Sequence, residues 1–369
     1  MKFSCTQENL TSGLGLVSHV AARSTSLPIL SNILLRFSRT GVELTATNLE
    51  VAVVTLVRGK GDDDGVVTVQ GKLLAEAVSL LPNERVDLEL EATNLTLICG
   101  KHHTVVRGVA ADDFPVIPEV KGGESVSLPA AELAEAINQV ALAVNPDEGR
   151  PEISGLYLGS SGKKLVLVGT DSYRLAERSL TDKVLPRSGG LIIPLRAAQE
   201  VGRVVDGSDA EAQVEVVLGD NQVLWRLGET QVVSRLIAGQ YPDYQQIIPR
   251  EFVTQVVLAR SELVQAVRAA SLFVRSGIND VRLSFEPTGK LVRVSSTNSQ
   301  LGENSTELEA KSLTGQPCEI VFNYRYLLDG LQTISSSEVS LELVNATSPA
   351  MLKPVGKDSY RYLIMPIRQ

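Results

Sequence analysis

The sequence predicts an α+β protein built from three homologous domains, each with two helices packed on antiparallel sheets, over residues 1–120, 121–249 and 250–369. Three observations predict it. A helical apolar stripe recurs three times at nearly constant offset, a strand pair ending in Thr-Asn or Thr-Asp follows each stripe, and a second amphipathic helix follows a strand in each unit.

The first stripe places Leu10, Leu14, Val17 and Ala21 on one helical face, and the same spacing returns at Leu133, Ile137, Val140 and Val144 and at Leu263, Val267, Ala270 and Val274. The strand pairs end at Thr47-Asn48, Thr170-Asp171 and Thr297-Asn298. The second helices carry Leu74, Ala77 and Leu81, then Ala198, Val201 and Val205, then Leu327, Gly330 and Ile334. Each domain is therefore expected to run β-α-β-β-β-α-β-β-β, closing with strands such as Arg85 to Leu90, Thr96 to Cys99 and Thr104 to Val109. Turn formers mark the boundaries, at Phe114-Pro115-Val116-Ile117-Pro118 with Gly122-Gly123, and from Tyr241-Pro242-Asp243-Tyr244 to Pro249.

Composition narrows the function. With 43% hydrophobic and 21% charged residues, the 369-residue chain can bury a large core, and no apolar run approaches the ~20 residues that span a bilayer. Met1 to Glu8 contains no apolar leader stretch, so the protein is expected to remain in the cytoplasm without a membrane partner. Cys5, Cys99 and Cys318 are far apart and read as reduced thiols rather than a disulfide or zinc framework. The net charge of −8 at first opposes nucleic-acid binding. Its distribution is uneven, however, with 10 basic against 14 acidic residues in 1–120, 12 against 17 in 121–249 and 13 against 12 in 250–369.

Catalytic signals are weak. Gly13-Leu14-Gly15 lies within a helix and has Ser18 where a dinucleotide fingerprint needs glycine. His102 and His103 are strand neighbours whose side chains point to opposite faces, so they cannot share a metal. Asp62-Asp63-Asp64-Gly65 lacks the later ligands of a calcium loop and reads as a solvated hairpin tip. No nucleophile, base and orienting group can be assembled, and no cofactor or metal is expected. Basic residues on helices say more. Arg196 and Arg203, and Arg268 and Arg275, are seven apart on polar helix faces, and Lys72, Arg196 and Arg325 open the second helix of each repeat. Such a face suits phosphates, without the aromatic platforms that single strands need.

Met1-Lys2-Phe3, Leu27-Pro28-Ile29-Leu30-Ser31-Asn32, Thr170-Asp171-Ser172-Tyr173-Arg174-Leu175, Tyr241-Pro242-Asp243-Tyr244, Val281-Arg282-Leu283 and Met365-Pro366-Ile367-Arg368 together resemble the bacterial DNA polymerase III beta subunit, the sliding clamp, over the whole chain. The resemblance implies a head-to-tail homodimer whose six domains form a ring around duplex DNA, helices lining the hole, and no catalysis. It implies sequence-independent DNA contact at Arg23, Lys72, Arg150, Pro151 and Glu152. It also implies a cleft that takes short peptides from the replicative polymerase, the clamp loader and repair polymerases. The cleft residues are Ile153, Thr170, Ser172, Tyr173, Arg174, Leu175, Pro242, Gln246, Ile247, Ile278, Pro349, Leu363, Ile364, Met365, Pro366, Ile367 and Arg368. By the same resemblance, Thr104 and Val106 of one subunit should meet Leu272 and Phe273 of the next.

Overall fold

Each repeat opens with a strand that runs directly into a twelve-residue helix. In the first these are β1 (Lys2–Thr6) and α1 (Gln7–Ser18), followed by β2 (Asn32–Phe37), β3 (Gly41–Thr47), β4 (Val51–Arg58), β5 (Lys60–Gly61), β6 (Gly65–Gln70), α2 (Gly71–Ser79), β7 (Arg85–Glu91), β8 (Asn94–Cys99) and β9 (His102–Arg107). The second comprises β10 (Glu124–Pro129), α3 (Ala130–Ala141), β11 (Gly155–Ser161), β12 (Lys164–Thr170), β13 (Arg174–Ser179), β14 (Leu191–Pro194), α4 (Leu195–Val205), β15 (Gln213–Leu218), β16 (Gln222–Leu227) and β17 (Thr230–Arg235). The third comprises β18 (Thr254–Ala259), α5 (Arg260–Ser271), β19 (Asp280–Glu286), β20 (Leu291–Asn298), β21 (Gly302–Glu309), β22 (Ser312–Thr314), β23 (Cys318–Asn323), α6 (Tyr324–Thr333), β24 (Glu338–Leu343), β25 (Ala350–Pro354) and β26 (Tyr360–Ile364). The computed structural model describes residues 1–21, 27–120, 123–145, 149–180, 184–186, 189–209, 211–274 and 277–368.

Two details correct the sequence reading. Between the helices of each repeat lie four or five strands rather than the expected three, because the chain reverses at the Thr-Asn or Thr-Asp corner and returns as β4, β13 or β21, with the short β5 and β22 added in the first and third repeats. The run Val51-Ala52-Val53-Val54 is buried almost throughout and lacks the alternation that announces a strand. The corner itself is a local device. Asn48 Oδ1 accepts from the Glu50 and Val51 amides, Asp171 Oδ1 from the Tyr173 and Arg174 amides, and Asn298 Oδ1 from the Gln300 and Leu301 amides.

The second correction concerns the first helices. Ala21, Val144 and Val274 lie beyond the ends of α1, α3 and α5 rather than in their last turns. Each helix tightens at the same place, through the amides of Val20, Ala143 and Phe273 bonding the carbonyls of Val17, Val140 and Ala270. The remaining stripe residues Leu10, Leu14 and Val17, Leu133, Ile137 and Val140, and Leu263, Val267 and Ala270 are all buried. Fully burying a leucine or valine contributes about 1.5–3 kcal/mol, which is what holds these short helices on their sheets.

The chain forms two compact units, 1–134 with 196–236, and 135–195 with 237–369. The first unit holds a five-stranded sheet, β5-β1-β7-β8-β9, and an eight-stranded sheet, β10-β15-β16-β17-β4-β3-β2-β6. In the second are a nine-stranded sheet, β14-β11-β12-β13-β26-β25-β24-β18-β22, and a four-stranded sheet, β21-β20-β19-β23. Two of these sheets cross from one repeat to the next: β17 pairs with β4 from Thr230↔Thr55 to Ser234↔Val51, and β26 pairs with β13 from Tyr360↔Arg178 to Ile364↔Arg174. At the first joint the buried Thr55 and Thr230 hydroxyls lie 2.8 Å apart.

The three cysteines are free, two of them buried. Burial raises the Cys5 thiol to about 12, with Asp87 adding to the effect. At pH 8 Cys5 therefore stays in its thiol form rather than as thiolate, the nucleophilic form. A timed assay with a thiol-reactive dye at pH 8 is expected to label half-buried Cys318 first. Cys5 and Cys99 should react only on unfolding, and early labelling of either would contradict this packing.

Candidate functional site

Three surfaces carry the site residues. The first is a set of basic helix positions. Lys72, Arg196 and Arg325 each occupy the second residue of α2, α4 and α6, and all three are exposed. A cation at a helix start is opposed by the positive end of the helix dipole, so fold stability does not select it there. Lys72 is partly answered by Glu76 at 3.7 Å, and Arg325 Nε donates to the Tyr324 hydroxyl at 3.3 Å. Arg268 is exposed in the last turn of α5, where the dipole favours it.

Arg203 has a different setting from that of the exposed arginines. Its guanidinium is half-buried, donates to the Gly15 carbonyl at 3.0 Å and to the Leu16 carbonyl, and pairs with Glu200 at 2.8 Å. It thereby closes the C-terminal end of α1, which has no basic residue of its own in its last turn. Arg150 pairs with Glu152 at 3.4 Å and donates to Ser172 Oγ at 2.8 Å, tying the Pro151 turn to the Asp171 corner. Arg23 and Arg275 lie outside the described residues.

The second surface is built where the Asp171 corner meets the C-terminal strand. Ser172 takes a left-handed φ of 77°, with its amide held by Thr170 Oγ1. This turn lifts Tyr173 to the surface, 63% exposed. Strand pairing sets Arg174 opposite Ile364 and Leu175 opposite Leu363, and the Met365 amide bonds the Tyr173 carbonyl at 2.8 Å. The tail beyond Met365 is anchored once more, by the Ile367 amide on the Val321 carbonyl. Met365, Pro366 and Ile367 remain half-buried and Arg368 exposed. Pro349 leads into β25, beside the Ile364 end of β26. Pro242, Gln246, Ile247 and Ile278 are exposed, with Gln246 Nε2 donating to Asp243 at 2.8 Å. Ile153, Leu175 and Leu363 form the floor together with Tyr241, Tyr244 and Met351.

Arg174 is the pivot of this surface, with its side chain only 12% exposed. Its Nε pairs with Asp171 at 3.0 Å, its Nη1 with Asp329 and the Tyr362 hydroxyl, and its guanidinium lies 4.4 Å from the centre of the Tyr326 ring. Burial alone would lower its pKa, but Tyr362, Asp329 and Asp171 outweigh that and hold the group above its ordinary value. Tyr326 in turn stacks on Tyr173, with ring centres 6.5 Å apart. Sequence reasoning missed Tyr326, Asp329 and Tyr362. The available signal was the three-residue step from Tyr326 to Asp329, which puts both on one side of α6. Farther along the same sheet, a cavity of about 460 Å³ beside Met351 is crossed by the ion pairs Glu342–Lys353 at 2.7 Å and Glu177–Arg361 at 3.8 Å. Those charges answer one another.

The third surface consists of two open sheet edges, β9 and β21. Thr104 and Val106 turn inward from β9, while Val105 is 52% exposed. Leu272, just past α5, is 72% exposed, and Phe273 beside it is half-buried near Gly302. Among the described residues no group of His, Cys, Asp or Glu is disposed to hold a metal ion, and no helix is long and apolar enough to cross a membrane.

Family models match along the chain in the same three-part order: the N-terminal domain of the DNA polymerase III beta subunit at residues 1–118, its central domain at 127–243 and its C-terminal domain at 245–368. The chain belongs to the DNA polymerase III beta subunit family. A beta sliding clamp of Synechocystis is 30% identical over all of this chain and 99% of its own length, and one of Staphylococcus aureus is 29% identical over the same shares. Among solved structures, the sliding clamp of Pseudomonas aeruginosa bound to griselimycin superposes with a TM-score of 0.94 at 29% identity, covering all of both chains. The sliding clamp of Bacillus subtilis gives 0.91 at 27% identity, covering all of this chain and 99% of its own. Members of this family are accessory processivity factors without a catalytic site of their own, which accords with the absence of any assembled nucleophile and base in the sequence.

Proposed function

We infer that this chain is one subunit of a two-subunit, head-to-tail ring that encircles duplex DNA in the cytoplasm. It tethers the replicative polymerase, and takes the clamp loader and repair polymerases at the same docking surface. The observation that carries this reading is the sheet topology. Two sheets already run from one repeat into the next through the last strand of one and the corner-return strand of the other, leaving one strand of each kind, β9 and β21, open. Pairing them between copies closes the set and leaves no edge at the joints.

Lys72, Arg196 and Arg268, with Arg325 at the matching place in the third repeat, are the exposed cations proposed to meet DNA. Backbone contacts alone suit a protein that must slide, since base-edge contacts would trap it at particular sequences. An acidic chain with a few such groups binds duplex weakly, and enclosure replaces affinity. Arg23, Arg150, Arg203 and Arg275 belong to the same proposed DNA-facing set, as do Pro151 and Glu152. In that set Arg203 also serves as a tie on α1 and Arg150 as a tie on the Ser172 corner. The cleft around Arg174 and Tyr173 is proposed to take an extended peptide, its apolar side chains on Leu175 and Leu363 and its backbone along the tail from Met365 to Arg368. The domain limits 1–120, 121–249 and 250–369 belong to the same reading.

The loaded ring is expected to stay on circular duplex and to be lost when that duplex is cut once. Gel filtration of the loaded complex before and after cutting reads this directly. A protein that stays on the linear product would be a static scaffold, and the ring reading would fail. Neutralising Lys72, Arg196 and Arg268 together is expected to shorten residence on circular DNA at least threefold without changing subunit number. Unchanged residence would remove these residues from the DNA-facing set.

A further inference from the structure

We propose, resting on the docking reading above, that Glu177 and Tyr244 form a positioning pair for the cleft. The carboxylate seats the phenol, and the phenol fixes the turn Tyr244–Ile247 so that Ile247 faces a docked peptide. Glu177 lines the cavity beside Met351, together with Gln245 of that turn. The first joint of the same chain is built without the pair.

Strand register brings the two joints into correspondence. Val51 faces Ser234 and Arg174 faces Ile364, so three residues on, Val54 opposite Gln231 corresponds to Glu177 opposite Arg361. One strand further Arg226 corresponds to Lys353, and beyond it Val217, opposite Leu224, corresponds to Glu342, opposite Met351. The linkers align on Phe114-Pro115 and Tyr241-Pro242, which sets Ile117 level with Tyr244 and Val120 level with Ile247. Each linker borders a cavity over this row, about 670 Å³ at the first joint and about 460 Å³ at the second.

What fills the corresponding positions differs. At the first joint the row holds one charge, Arg226, half-exposed and paired with Glu215 at 3.2 Å. Ile117 and Val120 both lie on the sheet, against Val217, Leu224 and Val233. At the second joint Glu177 and Glu342 are both buried, and Arg361 answers Glu177 only at 3.8 Å. Burying a carboxylate costs stability unless its partner is close and well placed, and the first joint shows that valine serves the fold at this position. Packing therefore does not account for Glu177. The linker residue changes with it. Where the first joint has Val54 and Ile117, the second has Glu177 and Tyr244, whose hydroxyl is raised above its ordinary value by burial and by that carboxylate. The consequence appears three residues on: Val120 packs on the sheet, whereas Ile247 is exposed at the cleft. Gln245 ties the same turn to Ser161 Oγ at 3.0 Å, so this bond and the Tyr244 seat together set its rotation.

The test gives the second joint the residues of the first. Binding is read by anisotropy of a labelled decapeptide, the tightest found among overlapping decapeptides that span the replicative polymerase. Glu177→Val with Arg361→Gln is expected to weaken that binding about fivefold or more while the melting temperature of the full chain holds within about 2 °C or rises. Unchanged binding would overturn the proposal, and so would a fall in melting temperature that accounts for the weaker binding. Tyr244→Phe removes only the hydroxyl and is expected to weaken binding about threefold or more. Combined with the Glu177 and Arg361 changes, it should add less than about twofold, because the two sites act as one unit. Losses that multiply would show that Glu177 does not act through Tyr244. A wild-type chain that binds none of the decapeptides would overturn the docking reading, whereas wild-type binding with unaffected variants would overturn the positioning pair alone.

Discussion

Replacing Arg174 by alanine is expected to cut peptide binding at the cleft by tenfold or more and to lower the stability of the unit containing residues 237–369 by about 2–3 kcal/mol. Removing one partner of a largely buried ion pair commonly costs about 3–5 kcal/mol, and the figure is reduced here because Asp329 is partly exposed to water. What is lost is specific. Asp171 keeps its bonds to the Tyr173 and Arg174 amides but loses its cation, Asp329 and the Tyr362 hydroxyl lose a donor, and the Tyr326 ring loses the group beneath it. Tyr173 keeps its backbone bonds to Asp171 and Met365, but the Tyr326 ring on which it stacks is no longer fixed by the guanidinium. Arg174→Lys should restore part of the stability but little of the binding, since an ammonium cannot reach both carboxylates and lie flat on the ring. Because the native pKa is raised, the group's stabilising effect is present below its unfolded value and would fade only as pH climbed past the folded one, far into alkali. Calorimetry of peptide binding together with thermal melts checks both outcomes. Full binding by the alanine variant would show that the corner is held by its backbone alone.

Gly330→Val is expected to cost about 3 kcal/mol or more and to leave much of the chain unfolded at growth temperature. Gly330 is buried on α6, and a Cβ there would stand 2.4 Å from two ring carbons of Tyr362. That ring cannot retreat, being fully buried with its hydroxyl donating to the Tyr326 carbonyl at 2.9 Å. Overpacking of this kind typically costs about 1–3 kcal/mol and more where the neighbour is fixed, and a β-branched residue adds crowding within the helix. Gly15→Ala is the matched control. Gly15 also lies in a helix interior, nothing stands within 4 Å of its added Cβ, and the substitution should stabilise by up to about 1 kcal/mol. Urea melts of the two variants should therefore move in opposite directions. A neutral Gly330→Val would mean that the α6–β26 contact has room for the added methyl groups.

The repeat was legible because it rests on burial. Leu10, Leu133 and Leu263, with their partners one and two turns on, must face a core in any fold that keeps the helices, so the period survives large drift in everything else. The return strands β4 and β13 were not legible because a strand buried on both faces carries no alternation, and β21 was not because its polar run Glu303-Asn304-Ser305-Thr306-Glu307 shows no apolar alternation; the tight corner before each needs only one Asn or Asp to form. The basic positions at the second-helix starts could be read from register alone. That Arg203 also reaches the α1 carbonyls could not, since it depends on how two helices from different repeats approach. At the cleft the resemblance supplied the strand residues, while Tyr326 and Asp329 came to light only through what Arg174 touches. Side chains that act through a partner 155 residues away leave no local pattern.

The sheet that runs from β17 into β4 bears on how the first and second repeats would resist being pulled apart. Five consecutive residue pairs join these strands, and an antiparallel ladder loaded along its length must break its hydrogen bonds together rather than one after another. The segment from Ala111 to Val120 that links the two repeats in sequence is a second tie, seating Ile117 and Val120 on Val217, Leu224 and Val233 of the same sheet. Force from a moving polymerase would thus fall on the woven strands and on the apolar seat of the linker beside them.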